Sequence, residues 1–75
     1  MNTRHIAVSA IDGGWSLHCV PGPEPILFLS GARAEAQARA LACRLSEAGE
    51  EIRLTVEDRS RALVGSLLYS PGATA

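Results

Sequence analysis

The stretch from Ser30 to Gly49 constrains the fold more than any other part of this chain. Its interior carries small and branched apolar residues at steps of four and three, which on an α-helix fall within a stripe roughly 80° wide. These residues are Ala34, Ala38, Leu41, Leu45 and Ala48. The hydroxyl of Ser30 is placed to cap the start of the helix, and Gly49 to end it in a left-handed conformation. Because one helix cannot bury such a stripe alone, the flanking segments must supply a surface for it.

Two segments with alternating apolar residues precede this helix. Residues 6–10 and 15–20 have the period-two pattern of strands with one buried face, and Asp12-Gly13-Gly14 between them favours a tight hairpin. The proline-rich stretch 21–25 cannot continue a strand ladder, since proline lacks the amide hydrogen and fixes φ. Ile26–Leu29 then predicts either a short third strand or an extended approach to the helix.

Two further strands are predicted after the helix. Residues 52–56 alternate cleanly, residues 57–60 form a polar turn, and residues 61–69 supply the last strand. On that last strand the two faces differ little in hydrophobicity. If the face with Ala62, Val64, Ser66 and Leu68 contacts the helix, the other face is left uncovered by it. We therefore expect a self-association face on the uncovered side of the sheet, formed by Leu63, Leu67 and Tyr69.

The predicted fold is a two-layer α+β sandwich, with an antiparallel sheet of four to five strands and one helix on one face, in the order ββ(β)αββ. We expect one domain over residues 1–75, with an ordered core from about residue 5 to about residue 70. Hydrophobic residues make up 47% of the chain, but only Trp15, Phe28 and Tyr69 are aromatic. A core of small side chains is thin, and we therefore expect a homo-oligomer, most simply a dimer.

Charge and hydropathy exclude several classes of partner. The formal net charge is −1 and no block of basic residues occurs, so general attraction to nucleic acid is unsupported. The longest apolar run, Ile26–Leu29, is far too short to span a bilayer, and the first residues lack the pattern of a signal peptide. We expect a cytoplasmic protein in which Cys19 and Cys43 are free thiols.

Several short motifs resemble the DUF2188 domains, a group of small bacterial domains. The resemblance rests on Gly13-Gly14-Trp15, on Glu35-Ala36 early in the helix, on Gly49-Glu50-Glu51-Ile52 before a strand, and on Tyr69 near the end of the later hairpin. It implies a ββαββ-type layout and no particular activity. The first half of the chain is also similar to the HicB-type antitoxin domain, through the same hairpin, the Pro21–Pro25 loop and the helix. That resemblance implies inhibition of an RNA-cleaving partner.

No arrangement of reactive side chains predicts catalysis. His18 and Cys19 are adjacent and point to opposite faces of a strand, so they cannot chelate one metal together, and His5 lies at the other end of the hairpin. No Cys-x-x-Cys pair and no Gly-x-Ser-x-Gly nucleophile elbow occurs in the sequence. We expect no enzymatic activity, no cofactor and no metal.

The function predicted from the sequence is that of a non-enzymatic domain that self-associates and binds a macromolecular partner, most simply a protein. The alternative is a regulator associated with nucleic acid. Such a regulator would contact phosphate through Arg53, Arg59 and Arg61 on the second hairpin, or would act as a HicB-like antitoxin.

Overall fold

The computed structural model describes residues 3–22, 24–60 and 62–70. One α-helix packs on one face of a five-stranded sheet, which confirms the predicted α+β class. We call this face of the sheet the helix side and the opposite face the open side. The elements are β1 (Thr3–Ile11), β2 (Gly14–Val20), β3 (Ile26–Phe28), α1 (Gly31–Glu47), β4 (Glu51–Glu57) and β5 (Leu63–Tyr69).

The strand order in the sheet is β3-β2-β1-β4-β5, and the sheet is mixed. β1 pairs antiparallel with β2 but parallel with β4, in a register that runs from Thr3 opposite Glu51 to Ser9 opposite Glu57. The all-antiparallel sheet expected from the sequence is therefore wrong at its centre. The reason is the crossover. Because α1 carries the chain back across the sheet, β4 starts at the same end as β1 and lies beside it.

The first hairpin has the predicted position and turn. The register ends with Ile11 opposite Gly14, so Asp12 and Gly13 form a two-residue connection. Gly13 has a φ of 83°, a value that glycine adopts without steric cost in such turns. β2 then pairs on its other side with β3, and Trp15 lies opposite Phe28. Of the two alternatives left open for Ile26–Leu29, the short third strand is confirmed.

The predicted helix and its caps are confirmed, but its buried stripe is rotated from the predicted one. The Ser30 hydroxyl accepts a hydrogen bond from the Arg33 amide at 3.3 Å. The fully buried residues follow steps of four and are Ala34, Ala38, Ala42 and Ser46. Leu41 and Leu45 are half-buried at the flank of this row, and Ala48 is exposed. Small residues on the row facing the sheet let the helix backbone lie close to the strands, while the leucines extend sideways.

The core lies between α1 and the three central strands. On the helix side the sheet contributes aliphatic and thiol side chains from β1, β2 and β4, and the helix contributes three alanines. The core residues are Ile6, Val8, Leu17, Cys19, Ile52, Leu54, Ala34, Ala38 and Ala42. On the open side the same strands carry mostly polar residues, such as His5, His18 and Arg53. α1 packs mainly over β4, β1 and β2, so the two edge strands receive little cover from it.

Candidate interaction surface

β5 forms one edge of the sheet and carries no charged residue or proline that would hinder pairing with another strand. Among the described residues it pairs only with β4, so the backbone groups along its outer side have no strand partner. Its sequence from Leu63 to Tyr69 contains no charged residue and no proline. Natural edge strands usually avoid pairing with other chains by means of charged residues, prolines, bulges or short length. β5 has seven residues and no charge or proline, and its one bulge, at Val64, leaves Gly65–Tyr69 regular, so this part of the strand is suited to accept another strand.

Four large apolar side chains on β5 face solvent. Their exposed fractions are 58% for Leu63, 61% for Val64, 43% for Leu67 and 56% for Leu68. We call these four residues the β5 patch. The patch covers both sides of the strand because successive residues such as Leu67 and Leu68 lie on opposite faces. The register also shifts between Val56 and Glu57, which leaves Val64 as an extra residue opposite β4. A contiguous group of exposed leucine and valine side chains of this kind is typical of an interaction surface.

The predicted self-association face is wrong in its side of the sheet. Leu67 lies opposite Leu54, and Tyr69 lies opposite Ile52, and both β4 residues belong to the core. Leu67 and Tyr69 are therefore on the helix side, whereas Leu63, opposite Glu57, is on the open side. Because the two faces of β5 are similarly hydrophobic, the sequence did not show which face contacts the helix. No local pattern in the sequence predicts the bulge. The exposed apolar residues of β5 thus lie along an edge of the sheet, on both of its faces.

A groove runs between α1 and β5 because the helix does not reach the edge strand. It has a volume of about 200 Å³ and is floored by Leu54 and Val56 of β4 and by residues 65–67 of β5. The wall on α1 is formed by Glu35 and Arg39, which form an ion pair of 2.7 Å. The floor is therefore apolar, and the charges on the wall already neutralise each other. Gly65 of this groove, and Val64 and Leu68 of the β5 patch, were not predicted as site residues.

The opposite edge of the sheet also exposes apolar residues but is built differently. β3 has only three residues, and the exposed prolines Pro21 and Pro25 lie close to it in the chain. Leu27 is 69% exposed and Leu29 is 93% exposed. Next to β3, a depression of about 250 Å³ lies over the buried Cys19 and is flanked by Leu41 and Leu45. A three-residue strand near prolines offers few backbone groups for pairing, so this edge is the weaker candidate.

The predicted phosphate contact by the arginines of the second hairpin gains no geometric support. Arg53 is exposed on the open side of β4, while Arg59 lies in the turn beyond β4 and donates to the carbonyl oxygen of Ile11 at 3.3 Å. The four steps from Arg53 to Glu57 alone span about 13 Å of strand, and Arg59 follows Glu57 in the turn. Arg61 lies outside the described residues. The structure therefore does not bring Arg53 and Arg59 into one phosphate site.

The histidines and cysteines are also dispersed. His5 and His18 lie on the open side of neighbouring strands, offset diagonally by two residues, and the His5 Nε2 is 2.9 Å from the Thr55 hydroxyl oxygen. Cys19 is buried and Cys43 is exposed, and both are free thiols. In residues 3–22, 24–60 and 62–70, no group of three or more His, Cys, Asp or Glu residues is arranged to hold a metal ion.

A group of polar contacts around Arg4 lies at the end of the sheet away from the first hairpin's turn. Arg4 donates to the Glu50 carboxylate at 2.8 Å and to the Pro21 carbonyl oxygen at 3.0 Å. The hydrogen bond with Glu50, followed by that with Cys19, raises the pKa of Arg4 above its usual value. This arginine ties β1 to the segments that follow β2 and α1, and its role is structural.

Two findings bear on the class of protein. No helix in the described part of the chain has the length and hydropathy needed to cross a membrane. No protein-family model, curated protein or solved structure matches this chain, so the resemblances to DUF2188 and HicB-type domains stay predictions.

Proposed function

We propose that this protein is a non-enzymatic interaction domain that self-associates through β5 and, in that form, binds a macromolecular partner. The observation that carries the proposal is the β5 patch, four half-exposed apolar side chains on an uncharged edge strand. Burying apolar surface contributes about 25 cal/mol per Å², and a fully buried leucine about 1.5–3 kcal/mol. Removing these side chains from water therefore supplies a driving force for association.

The surface on β5 favours a polypeptide, such as the second copy in self-association, over a small-molecule substrate. The groove beside β5 is open along the strand and combines an apolar floor with a neutralised ion pair on its wall. Unpaired backbone groups of an edge strand recognise other polypeptide segments through main-chain hydrogen bonds. Both features favour contact with a polypeptide.

The first prediction is that Leu67→Glu abolishes self-association. Leu67 is half-exposed between the groove and the strand edge, so a carboxylate there would have to be buried without a partner in any assembly that uses this surface. Sedimentation velocity of the wild type should give twice the monomer mass of 7.9 kDa, and Leu67→Glu should give the monomer mass.

The matched control is Leu29→Glu, the same substitution at a residue that is 93% exposed near the opposite edge. It should remain dimeric, and circular dichroism should show that both variants are folded. A wild type that stays monomeric over the whole accessible concentration range would contradict self-association. If the Leu67→Glu variant is still dimeric, the interface lies elsewhere than on β5.

A salt titration distinguishes the regulator associated with nucleic acid from the protein-binding domain. Affinity for mixed-sequence DNA and RNA falls steeply with salt when phosphate contacts dominate binding. Tight binding at low salt that is lost in Arg53→Ala would favour the regulator over the protein-binding domain. The net charge of −1 and the separation of Arg53 from Arg59 support the protein-binding domain instead.

A further inference from the structure

We infer that the occupant of the β5 edge is a second copy of this chain, paired antiparallel through β5 around a twofold axis at Ser66. The inference rests on the proposed self-association and specifies its geometry. Ser66 is the midpoint of Leu63–Tyr69, so this register centres the pairing on the regular part of the strand, and the bulge at Val64 interrupts it towards each end. The two five-stranded sheets then form one continuous sheet of ten strands, with both helices on the same face.

The register creates complementary side-chain contacts on the helix side. With Ser66 facing the partner's Ser66, Gly65 faces the partner's Leu67, and Leu67 faces the partner's Gly65. Gly65 and Leu67 both line the groove between α1 and β5. Because Gly65 has no side chain, each groove has room above it for the partner's leucine. The twofold axis makes this fit reciprocal, as an isologous interface requires.

Charge distribution also favours a second copy. No residue from Leu63 to Tyr69 is charged, so antiparallel self-pairing opposes no like charges. The nearest charged side chains of the groove, Glu35 and Arg39, neutralise each other at 2.7 Å. Bringing the partner's leucine against this wall therefore leaves no isolated charge buried.

A stable contact of this kind needs apolar residues on both faces of the sheet at its edge. A standard interface buries about 800 Å² on each partner, roughly a sixth of the 4861 Å² surface of this chain. A seven-residue strand is only about 23 Å long, so the contact must extend over both faces of the sheet. β5 meets this requirement, since Leu67 is exposed on its helix side and Leu63 and Leu68 on its open side.

Disulfide cross-linking tests the register. In a background with Cys19→Ala and Cys43→Ser, Ser66→Cys should form a disulfide with its own copy under mild oxidation with copper phenanthroline. Directly opposite residues of antiparallel strands have Cα atoms about 4.5–5.5 Å apart, within the range of disulfides. A mixture of Gly65→Cys and Leu67→Cys should give the mixed disulfide. A Cβ at Gly65 meets only ordinary contacts, the nearest being Val56 at 3.9 Å.

The control is Thr55→Cys, which lies on the open side directly inside Ser66 on β4. Three strand spacings, about 14 Å, would separate it from its copy, too far for a disulfide. Ser66→Cys should cross-link roughly tenfold faster or more, because only its thiols are held at high effective concentration.

The outcomes separate this inference from the proposed function. A dimer in sedimentation that gives neither the Ser66 disulfide nor the mixed disulfide would overturn the register while leaving self-association intact. If Leu27→Cys forms a disulfide with its own copy and Ser66→Cys does not, the interface lies at β3. That result would also overturn the inferred register. A wild type that is monomeric in sedimentation would contradict both the self-association and the register at Ser66.

Discussion

The carboxylate of Asp58 organises the turn between β4 and β5. One oxygen, Oδ1, accepts hydrogen bonds from the Ser60 hydroxyl at 2.7 Å, the Ser60 amide at 2.8 Å and the Ala62 amide at 3.1 Å. The Asp58 amide in turn donates to the carbonyl oxygen of Ala62. These donors favour the charged form, and the bond from the Ser60 hydroxyl contributes most to lowering the pKa of Asp58 below its usual value.

This shift predicts a specific pH dependence of stability. A depressed folded-state pKa contributes stability that is present above the unfolded pKa, about 3.9 for aspartate, and is lost as the pH falls through the folded value. We expect Asp58→Asn to destabilise the protein at pH 7 and to have a smaller effect at pH 2, where protonation of Asp58 removes part of the difference in charge. Urea unfolding at the two pH values measures this.

Asp12→Asn, in the turn of the other hairpin, controls for the general loss of one surface carboxylate. An Asp58→Asn effect of equal size at pH 7 and pH 2 would show that the charge of this side chain does not stabilise the turn.

Two serines show how far single residues could be predicted from the sequence. Ser30 precedes an amphipathic run, and its capping role follows from that position. Ser46 was not predicted to be in the core, because hydrophobic patterns count serine as polar. It is fully buried, and its hydroxyl donates to the Cys43 carbonyl oxygen at 2.9 Å within its own helix. This local bond offsets the cost of burial, and no pattern of apolar residues reports it.

At the scale of elements, the start of α1 contacts the first hairpin through Gly31 and Trp15. A Cβ built on Gly31 would lie 2.7 Å from Cε2 and 2.9 Å from Cζ2 of the indole ring. Trp15 packs against the core, so the rigid ring has little freedom to move away. The lack of a side chain at Gly31 therefore sets how closely the helix approaches β2.

We predict that Gly31→Ala destabilises the protein by about 1–3 kcal/mol, the usual cost of overpacking, although alanine is the better helix former. Trp15→Phe removes the ring atoms that the new methyl group would meet. In that background Gly31→Ala should cost clearly less, and a double-mutant cycle by urea denaturation measures the difference. Equal costs in both backgrounds would contradict a steric origin.

The edge strand β5 shows which properties of a strand could be predicted from the sequence and which could not. The existence of β5 and its end at Tyr69 followed from its apolar residues, whereas the strand begins at Leu63 and not at residue 61. The side of Leu67 and Tyr69 depends on the pairing of β5 with β4. A shift of one residue in register exchanges the faces of a strand. With leucines on both faces of β5, burial gave no reason to prefer one register.

At the scale of the whole molecule, the hydrophobic alternation predicted the strands but not their order. β1 and β4 carry the same period-two pattern in either orientation, so the pattern is equally compatible with antiparallel and parallel neighbours. The order β3-β2-β1-β4-β5 follows from where α1 crosses the sheet, which is a property of the packed structure. Layers and element types were thus predictable, and sheet order was not.

The central position of β4 predicts a large cost for truncating its core side chain. Leu54 is 1% exposed and lies between Ile6 of β1 and Leu67 of β5. We expect Leu54→Ala to lower the free energy of unfolding by about 2–5 kcal/mol, as is typical of leucine truncation in cores. Urea denaturation at fixed protein concentration measures the loss. Leu68→Ala, at a residue 56% exposed on the next strand, is the control, and an equal loss there would place the core elsewhere.

The parallel pair of β1 and β4 has a consequence for how the chain folds. Each hairpin can form from neighbours in the sequence, but the centre of the sheet joins residues 48 positions apart, as in the hydrogen bond from Thr3 to Glu51. Closing so long a loop costs entropy before any contact repays it, and sequence-distant pairings slow folding. The rate of folding should therefore be limited by the meeting of two preformed halves, even in a chain of only 75 residues.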